Sequence, residues 1–239
     1  MESRSSVSGR WMLAWSASLA ALTAIAGYIQ TVGTGSLPFW MPFISETSLF
    51  HPVDDWFKLG LTASALGFVP VALWVHERTA KSAARLGRLA ERLNHLMLVF
   101  AIIGLAGLIG LAYFDWKNAP VQHIIGASLF FATQAAWASS TSAITFLATG
   151  GALTGALRLR LIGAFGALIF LSAQVLLMVW TNQLHLTEMP ENALGRTNGE
   201  NFAALFEWAA VASLSLHSFG LWQPRKRKNK SDRKINSTP

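Results

Sequence analysis

Six long apolar runs dominate the pattern of hydrophobic and polar positions along the chain. Each is long enough to cross the roughly 30 Å hydrocarbon core of a bilayer as a helix, which takes about 20 residues. The pattern therefore predicts an all-α fold: a polytopic membrane protein with six transmembrane helices in one bundle. The runs cover approximately residues 11–33, 56–76, 95–115, 121–148, 161–181 and 202–222.

The segments between and beyond these runs are too short for a soluble domain. We predict a short N-terminus at residues 1–10, a transmembrane domain at 11–222 and a basic, disordered tail at 223–239. An alternative is that the first run is a cleaved signal peptide, because Arg4 and Arg10 precede a run rich in small residues. Five spans would then remain.

Lysine and arginine are strongly biased to one side of the predicted membrane. Sixteen of the nineteen lie before the first span, in the loops after spans two and four, or in the tail, and only Lys58, Lys117 and Arg196 lie on the other side. Because cations in short loops resist translocation, both termini are predicted to be cytoplasmic. Eight of the twelve acidic residues fall on the opposite face, which is therefore acidic.

Composition narrows the possible functions. The chain is 52% hydrophobic and only 13% charged. This charged share is about half that of a soluble domain, as expected for a membrane protein. With no cysteine, the chain can form no disulfide, thiolate metal site or cysteine nucleophile. We predict neither a bound metal nor a cofactor.

Seven of the basic residues lie in the last fifteen positions, so the net charge of +7 belongs mainly to the tail. We expect the tail to contact anionic lipid of the inner leaflet rather than nucleic acid, since each cation near such a surface contributes about 1 kcal/mol. The expected contacts are Arg225, Lys226, Arg227, Lys228 and Lys230. Possible membrane-protein partners are not indicated.

Helix packing and interior polarity can also be anticipated. Span three contains "GLAGLIG" and span four is rich in alanine, and small residues allow membrane helices to approach closely, so these spans should pack together. Glutamines inside the spans, such as Gln134, are expected to hydrogen-bond between helices. The basic segment "ERTAKSAARLGRLAERLNHL" is either an amphipathic helix on anionic lipid or a loop with a helical extension of span three.

The acidic face collects the residue types that perform chemistry. His51, Asp54 and Asp55 lie near it, together with a set that is our candidate catalytic group. A His/Asp/Glu set can ligate a divalent metal or supply acid and base for hydrolysis, and Ser45 beside a histidine can be a nucleophile. No HExxH or GxSxG motif is present, however, and the acids can equally solvate a loop face and cap helix starts. The candidates are Ser45, Glu46, Asp115, His123 and Glu207.

Three short motifs resemble landmarks of the DRAM family, the damage-regulated autophagy modulators. They are "PFISET" after span one, "HIIGA" at the start of span four and "EW" at the start of span six. The "PFISET" motif lies in a short segment between spans one and two, residues 41–52, which we call the hairpin. In the family, this hairpin usually has aspartate at the position of Glu46 and glycine at the position of Ser48. Carried over by position, the residues expected to matter are Pro42, Phe43, Ile44, Ser45, Glu46, Thr47, His123, Gly126, Ala127, Glu207 and Trp208.

The resemblance implies a non-enzymatic modulator of membrane or lipid processes, such as autophagy or phosphoinositide signalling, at the lysosome, the Golgi or the plasma membrane. On this hypothesis Glu46, His123 and Glu207 form one hydrogen-bonded polar knot. The alternative implied by the wider superfamily is a lipid-modifying enzyme or accessory factor of GPI-anchor remodelling with a lumenal polar site. A transporter is disfavoured, because no predicted span carries a charge at its middle.

Overall fold

A computed structural model describes residues 4–37, 42–180 and 198–223 of the chain. This part contains helices and no β-strand, which confirms the all-α prediction. A 3₁₀ helix, Ile44–Leu49, lies between α1 and α2, and we call it the hairpin helix. The α-helices are α1 (Arg4–Gly33), α2 (Val53–Leu86), α3 (Arg88–Tyr113), α4 (Pro120–Ala148), α5 (Gly155–Trp180) and α6 (Asn198–Trp222).

Five of the described helices are long and apolar enough to cross a membrane: α1 from Ser8, α2, α3, α5, and α6 from Asn201. Helix α4 matches the fourth predicted run in position and length, but its glutamines and its Ser/Thr-rich half leave it without an equally apolar stretch of span length. The structure thus supports an integral membrane protein with several spans. The fourth span and the sidedness of the termini stay predictions.

Helices adjacent in the chain pack against each other, and small residues set the closest contacts. A Cβ added at Gly107 on α3 would come within 2.7 Å of the Gly126 carbonyl oxygen on α4, so the two backbones touch there. Gln134 also donates a 3.1 Å hydrogen bond from α4 to the Ala101 carbonyl oxygen on α3. These contacts confirm that spans three and four pack closely and that Gln134 bonds between helices.

The predicted loop between spans two and three is almost entirely helical. Helices α2 and α3 are separated by Gly87 alone, whose φ of +101° lies in the region that glycine tolerates best. Behind this break, Asn94 on α3 is buried and bonds the hydroxyl of Thr79 on α2 and the ring of His76. The basic segment therefore forms the joined ends of two long helices and not a separate surface helix.

Arg160 is one of the cations of the predicted loop after span four, but the structure places it inside a helix. It lies on α5 with 8% of its surface exposed, and its guanidinium donates to the Thr145 hydroxyl of α4 at 3.3 Å. Its carbonyl oxygen accepts from Nδ1 of buried His217 on α6 at 3.1 Å. The ends of α4, α5 and α6 thus share a polar interior that the loop assignment missed, because α5 begins several residues before the apolar run.

Candidate functional site

The hairpin helix is a short, buried element with its own polar network. Its first turn is capped by Glu46, whose carboxylate accepts from the Phe43 backbone N–H at 2.8 Å. Thr47 and Ser48 are buried and donate their hydroxyls to the Ile44 and Ser45 carbonyl oxygens, each at 2.6 Å. Position 48 lies within a right-handed 3₁₀ turn, so a serine in place of the family glycine requires no positive φ.

Two neighbouring side chains of α6 hold this hairpin. Glu207, 8% exposed, accepts a 2.9 Å hydrogen bond from the backbone N–H of Ile44. The indole N–H of Trp208 donates to the Pro42 carbonyl oxygen at 2.9 Å, and the ring of Tyr28 packs edge-on against the Trp208 ring. We call Glu207 and Trp208 the hairpin clamp, because they join α6 to residues more than 160 positions earlier.

Apolar packing holds the hairpin from the other side. Ile44 packs in a cluster with Val53 and Phe57 at the start of α2 and with Leu108 on α3. Thr47 faces Gly27 on α1, where an added Cβ would come within 2.8 Å of the threonine hydroxyl. The hairpin therefore lies against α1, α2, α3 and α6 together, and its position depends on all four helices.

Asp115 follows α3 and His123 lies in the first turn of α4, and we call residues 114–123 the α3–α4 turn. Asp115 accepts from the Asn118 backbone N–H at 2.7 Å and from its side-chain amide at 2.9 Å. Nδ1 of His123 lies 2.7 Å from the Phe114 carbonyl oxygen. Since a carbonyl only accepts, this nitrogen carries the hydrogen. The Trp116 ring packs edge-on against His123, and these contacts close the turn.

The surroundings of Asp115 lower the pKa of its carboxyl group. Partial burial acts in the opposite direction and raises the pKa, but three hydrogen bonds outweigh it. They come from the side chain and backbone of Asn118 and from the backbone of Lys117, and the nearby positive charge of Lys58 adds to their effect. The carboxylate is thus stabilised as a charged acceptor in the turn.

The candidate residues fall into two separate groups. Ser45, Glu46 and Glu207 meet at the hairpin, whereas Asp115 and His123 belong to the α3–α4 turn. No Cα atom of α4 lies within 8 Å of a Cα atom of the hairpin helix, and His123 has no hydrogen bond to Glu46 or Glu207 in the described part of the chain. The predicted three-residue knot is therefore wrong: both glutamates serve the hairpin and His123 serves the turn.

A third group lies at the start of α2, where His51, Asp54 and Asp55 each bring a potential ligand atom within 4.8 Å of the others. Their i, i+3, i+4 spacing is the signal in the sequence that could have predicted this grouping. Nδ1 of His51 lies 3.5 Å from Asp54 and 3.7 Å from Asp55, and Lys58 contacts Asp54 at 3.6 Å. This group is a largely exposed set of polar contacts beside the hairpin.

One protein-family model matches the chain over the residues that form the helices and the polar groups described above. The family model of the Frag1/DRAM/Sfk1/Cwh43P N-terminal domain matches residues 9–222, which include the hairpin, the α3–α4 turn and the hairpin clamp. No curated protein and no solved structure matched the chain. Because this match spans nearly all of the helical part, the chain belongs to the Frag1/DRAM/Sfk1/Cwh43P N-terminal domain family.

Proposed function

We propose that the protein is a non-enzymatic, six-span membrane protein with cytoplasmic termini that modulates a membrane or lipid process, such as autophagy or phosphoinositide signalling. The single observation that carries this proposal is the hairpin clamp. Glu207 and Trp208 direct polar atoms at the backbone of residues 42 and 44, so their hydrogen bonds position the hairpin. We place the protein in the plasma membrane or in an endomembrane such as the lysosome or Golgi.

The separation of the candidate residues favours this function over hydrolysis. A general base must lie within about 3 Å of the proton that it removes, directly or through one water. His123 lies on α4, no Cα atom of which comes within 8 Å of a Cα atom of the hairpin helix that carries Ser45, and its imidazole donates to the Phe114 carbonyl oxygen. Serine and histidine are thus not arranged as a nucleophile and its base.

On this proposal, the docked hairpin completes a surface that other membrane components recognise. The 3₁₀ turn is buried against four helices, so its docking couples α6 to α1, α2 and α3. Undocking would change the shape of this end of the bundle without any bond being made or broken. The clamp therefore offers a structural means of regulation.

The experiment compares full-length wild type with Ser45→Ala, His123→Ala and Glu207→Ala in cells, measuring protein level, location and lipid composition. A structural modulator predicts that Ser45→Ala behaves as wild type, whereas Glu207→Ala, which leaves the Ile44 N–H without this acceptor, loses its cellular effect together with hairpin docking. A lipid-modifying enzyme predicts that Ser45→Ala and His123→Ala abolish one lipid product while protein level and location are unchanged. The second result would overturn the proposal.

A further inference from the structure

A cleft of about 470 Å³ opens between α2 and α3 beside the Gly87 break. Its size falls within the range of roughly 300–1,000 Å³ that small-molecule sites occupy. Alanines from α2 form an apolar floor, and polar side chains stand on both walls. The lining residues are Ala80, Lys81, Ala83, Ala84, Glu91, Asn94 and His95.

Helix lengths place this cleft at the level of lipid headgroups. Helix α2 has 34 residues. At the helical rise it is about 50 Å long, whereas the hydrocarbon core is about 30 Å thick. Since α2 begins beside the hairpin at one membrane surface, its last turns pass beyond the hydrocarbon at the other. The joined ends of α2 and α3 therefore bring the cleft among phosphates, where Arg85, Arg88 and Arg92 also lie.

The two walls carry opposite charges that do not pair. Lys81 on α2 and Glu91 on α3 both line the cleft and are exposed, and no ion pair joins either of them to another described residue. Because the Lys81 ammonium and the Glu91 carboxylate line the same cleft without pairing, the cleft can accept a zwitterionic ligand, whose anionic end would contact Lys81 and whose cationic end would contact Glu91. Glu91 would repel a purely anionic ligand, whereas Lys81 would repel a purely cationic one.

One polar wall of the cleft is already ordered. Asn94 is 3% exposed and held by the Thr79 hydroxyl and the His76 ring. The His76 ring in turn packs against the His95 ring, with centroids 4.9 Å apart. A ligand entering the cleft thus meets a pre-formed polar wall, which lowers the entropic cost of binding.

We infer that this cleft binds the headgroup of an aminophospholipid, with the phosphate at Lys81 and the ammonium at Glu91. Basic pockets between membrane helices commonly bind lipid headgroups, and the glutamate selects for a headgroup that also has a positive end. An ethanolamine ammonium donates charge-assisted N–H bonds to a carboxylate, which a choline group cannot do. The inference is independent of the function proposed for the hairpin clamp.

The experiment titrates the full-length protein, purified in detergent, with phosphatidylethanolamine, phosphatidylcholine and phosphatidylglycerol of identical acyl chains, and counts bound lipid by native mass spectrometry. We expect phosphatidylethanolamine to bind about tenfold more tightly than the other two, as the gain of one charge-assisted hydrogen bond implies. Phosphatidylglycerol binding as tightly as phosphatidylethanolamine would overturn the inference.

Charge-matched variants locate the site. Lys81→Gln should weaken all three lipids, and Glu91→Gln should remove the preference for phosphatidylethanolamine over phosphatidylglycerol. The controls are Arg88→Gln and Glu77→Gln, which remove the same charges from exposed positions of the same segment outside the cleft. If the controls change binding as much as Lys81→Gln and Glu91→Gln do, non-specific surface charge explains the binding and the inference fails.

A water-soluble competitor separates the headgroup from the acyl chains. Displacement of phosphatidylethanolamine by glycerophosphoethanolamine in wild type, and its absence in Glu91→Gln, would assign recognition to the headgroup. Equal displacement by glycerophosphocholine would show that the ammonium hydrogens are not recognised, which contradicts the inference.

Discussion

Glu207 illustrates how an acidic residue inside an apolar helix can be accommodated. A buried carboxylate is costly unless it is paired or hydrogen-bonded. Glu207 accepts from the Ile44 backbone N–H of a distant hairpin. Hydrogen bonds to a charged group contribute about 1.5–3 kcal/mol, more than a neutral bond does. At the scale of the residue, Glu207 therefore has a structural reason to be acidic.

We predict that Glu207→Ala releases the hairpin, because the Ile44 N–H loses its charged acceptor. The chain has no cysteine, so a single Ser48→Cys reporter can be labelled with a membrane-impermeant maleimide. Ser48 is 5% exposed when the hairpin is docked. The loss of about 1.5–3 kcal/mol should accelerate labelling roughly 10- to 100-fold. The control is Asp55→Ala, an exposed acid of the same region, and equal labelling rates in the two variants would contradict the prediction.

At the scale of the element, glycines decide how closely α3 and α4 approach. The two helices touch at Gly107 and Gly126, where an added Cβ at Gly107 would also lie 2.7 Å from the Phe130 backbone nitrogen. Gly110, one turn further along α3, is different: its nearest neighbour would lie 3.9 Å away. Two glycines of the same motif thus have unequal roles.

We predict that Gly107→Ala destabilises the bundle by about 1–3 kcal/mol, the usual cost of overpacking, because the clash is with backbone that cannot rotate away. Gly110→Ala is the matched control. Its unfolding temperature should equal that of wild type, since its Cβ makes only an ordinary van der Waals contact. Thermal unfolding in detergent measures both. Equal midpoints for the two variants would show that α3 and α4 separate without cost.

Helix α4 raises a different question at this scale, because it lacks the strongly apolar stretch that the other long described helices have. Thr133, Thr141, Ser142 and Thr145 each donate their hydroxyl to the carbonyl oxygen four residues earlier, at 2.6 to 2.8 Å. A hydroxyl bonded to its own helix costs less in lipid than an unbonded one. Its composition is therefore compatible with a membrane span.

We predict that α4 crosses the membrane, so that its two flanking turns lie on opposite sides. Single cysteines at Lys117 and Ala152, both exposed, should react with impermeant maleimide from opposite faces of sealed vesicles. With the cations inside, the cysteine at position 152 should be reached only from the cytoplasmic face. Labelling of both positions from the same face would show that α4 does not cross the membrane and would contradict the prediction.

At the scale of the whole molecule, the basic residues of the tail all lie outside the described residues, so their lipid contact stays a prediction. We expect full-length protein in detergent to bind liposomes containing anionic lipid and to lose this binding when Arg225, Lys226, Arg227, Lys228 and Lys230 are changed to glutamine, since each contributes about 1 kcal/mol near such a surface. Liposomes of neutral lipid are the control. Equal binding to both kinds of liposome would contradict the electrostatic explanation.

The sequence alone predicted the all-α class, the apolar central part of each α-helix and the packing of α3 on α4, whereas the helix ends differ from the predicted bounds by up to ten residues. These properties depend on local composition: about 20 apolar residues form one helix wherever they lie, and small residues mark its contact face. The motif resemblance likewise identified the family, which the family match confirmed.

Tertiary structure decided which polar residues meet. Glu207 reaches Ile44 across more than 160 positions, while His123 stays with Phe114 in its own turn, and no spacing in the chain distinguishes these outcomes. Lys81 and Glu91 likewise line one cleft because the chain breaks at Gly87, where the ends of α2 and α3 replace the predicted loop. Side-chain partners depend on how helices are placed relative to one another, and that placement results from packing across the entire bundle.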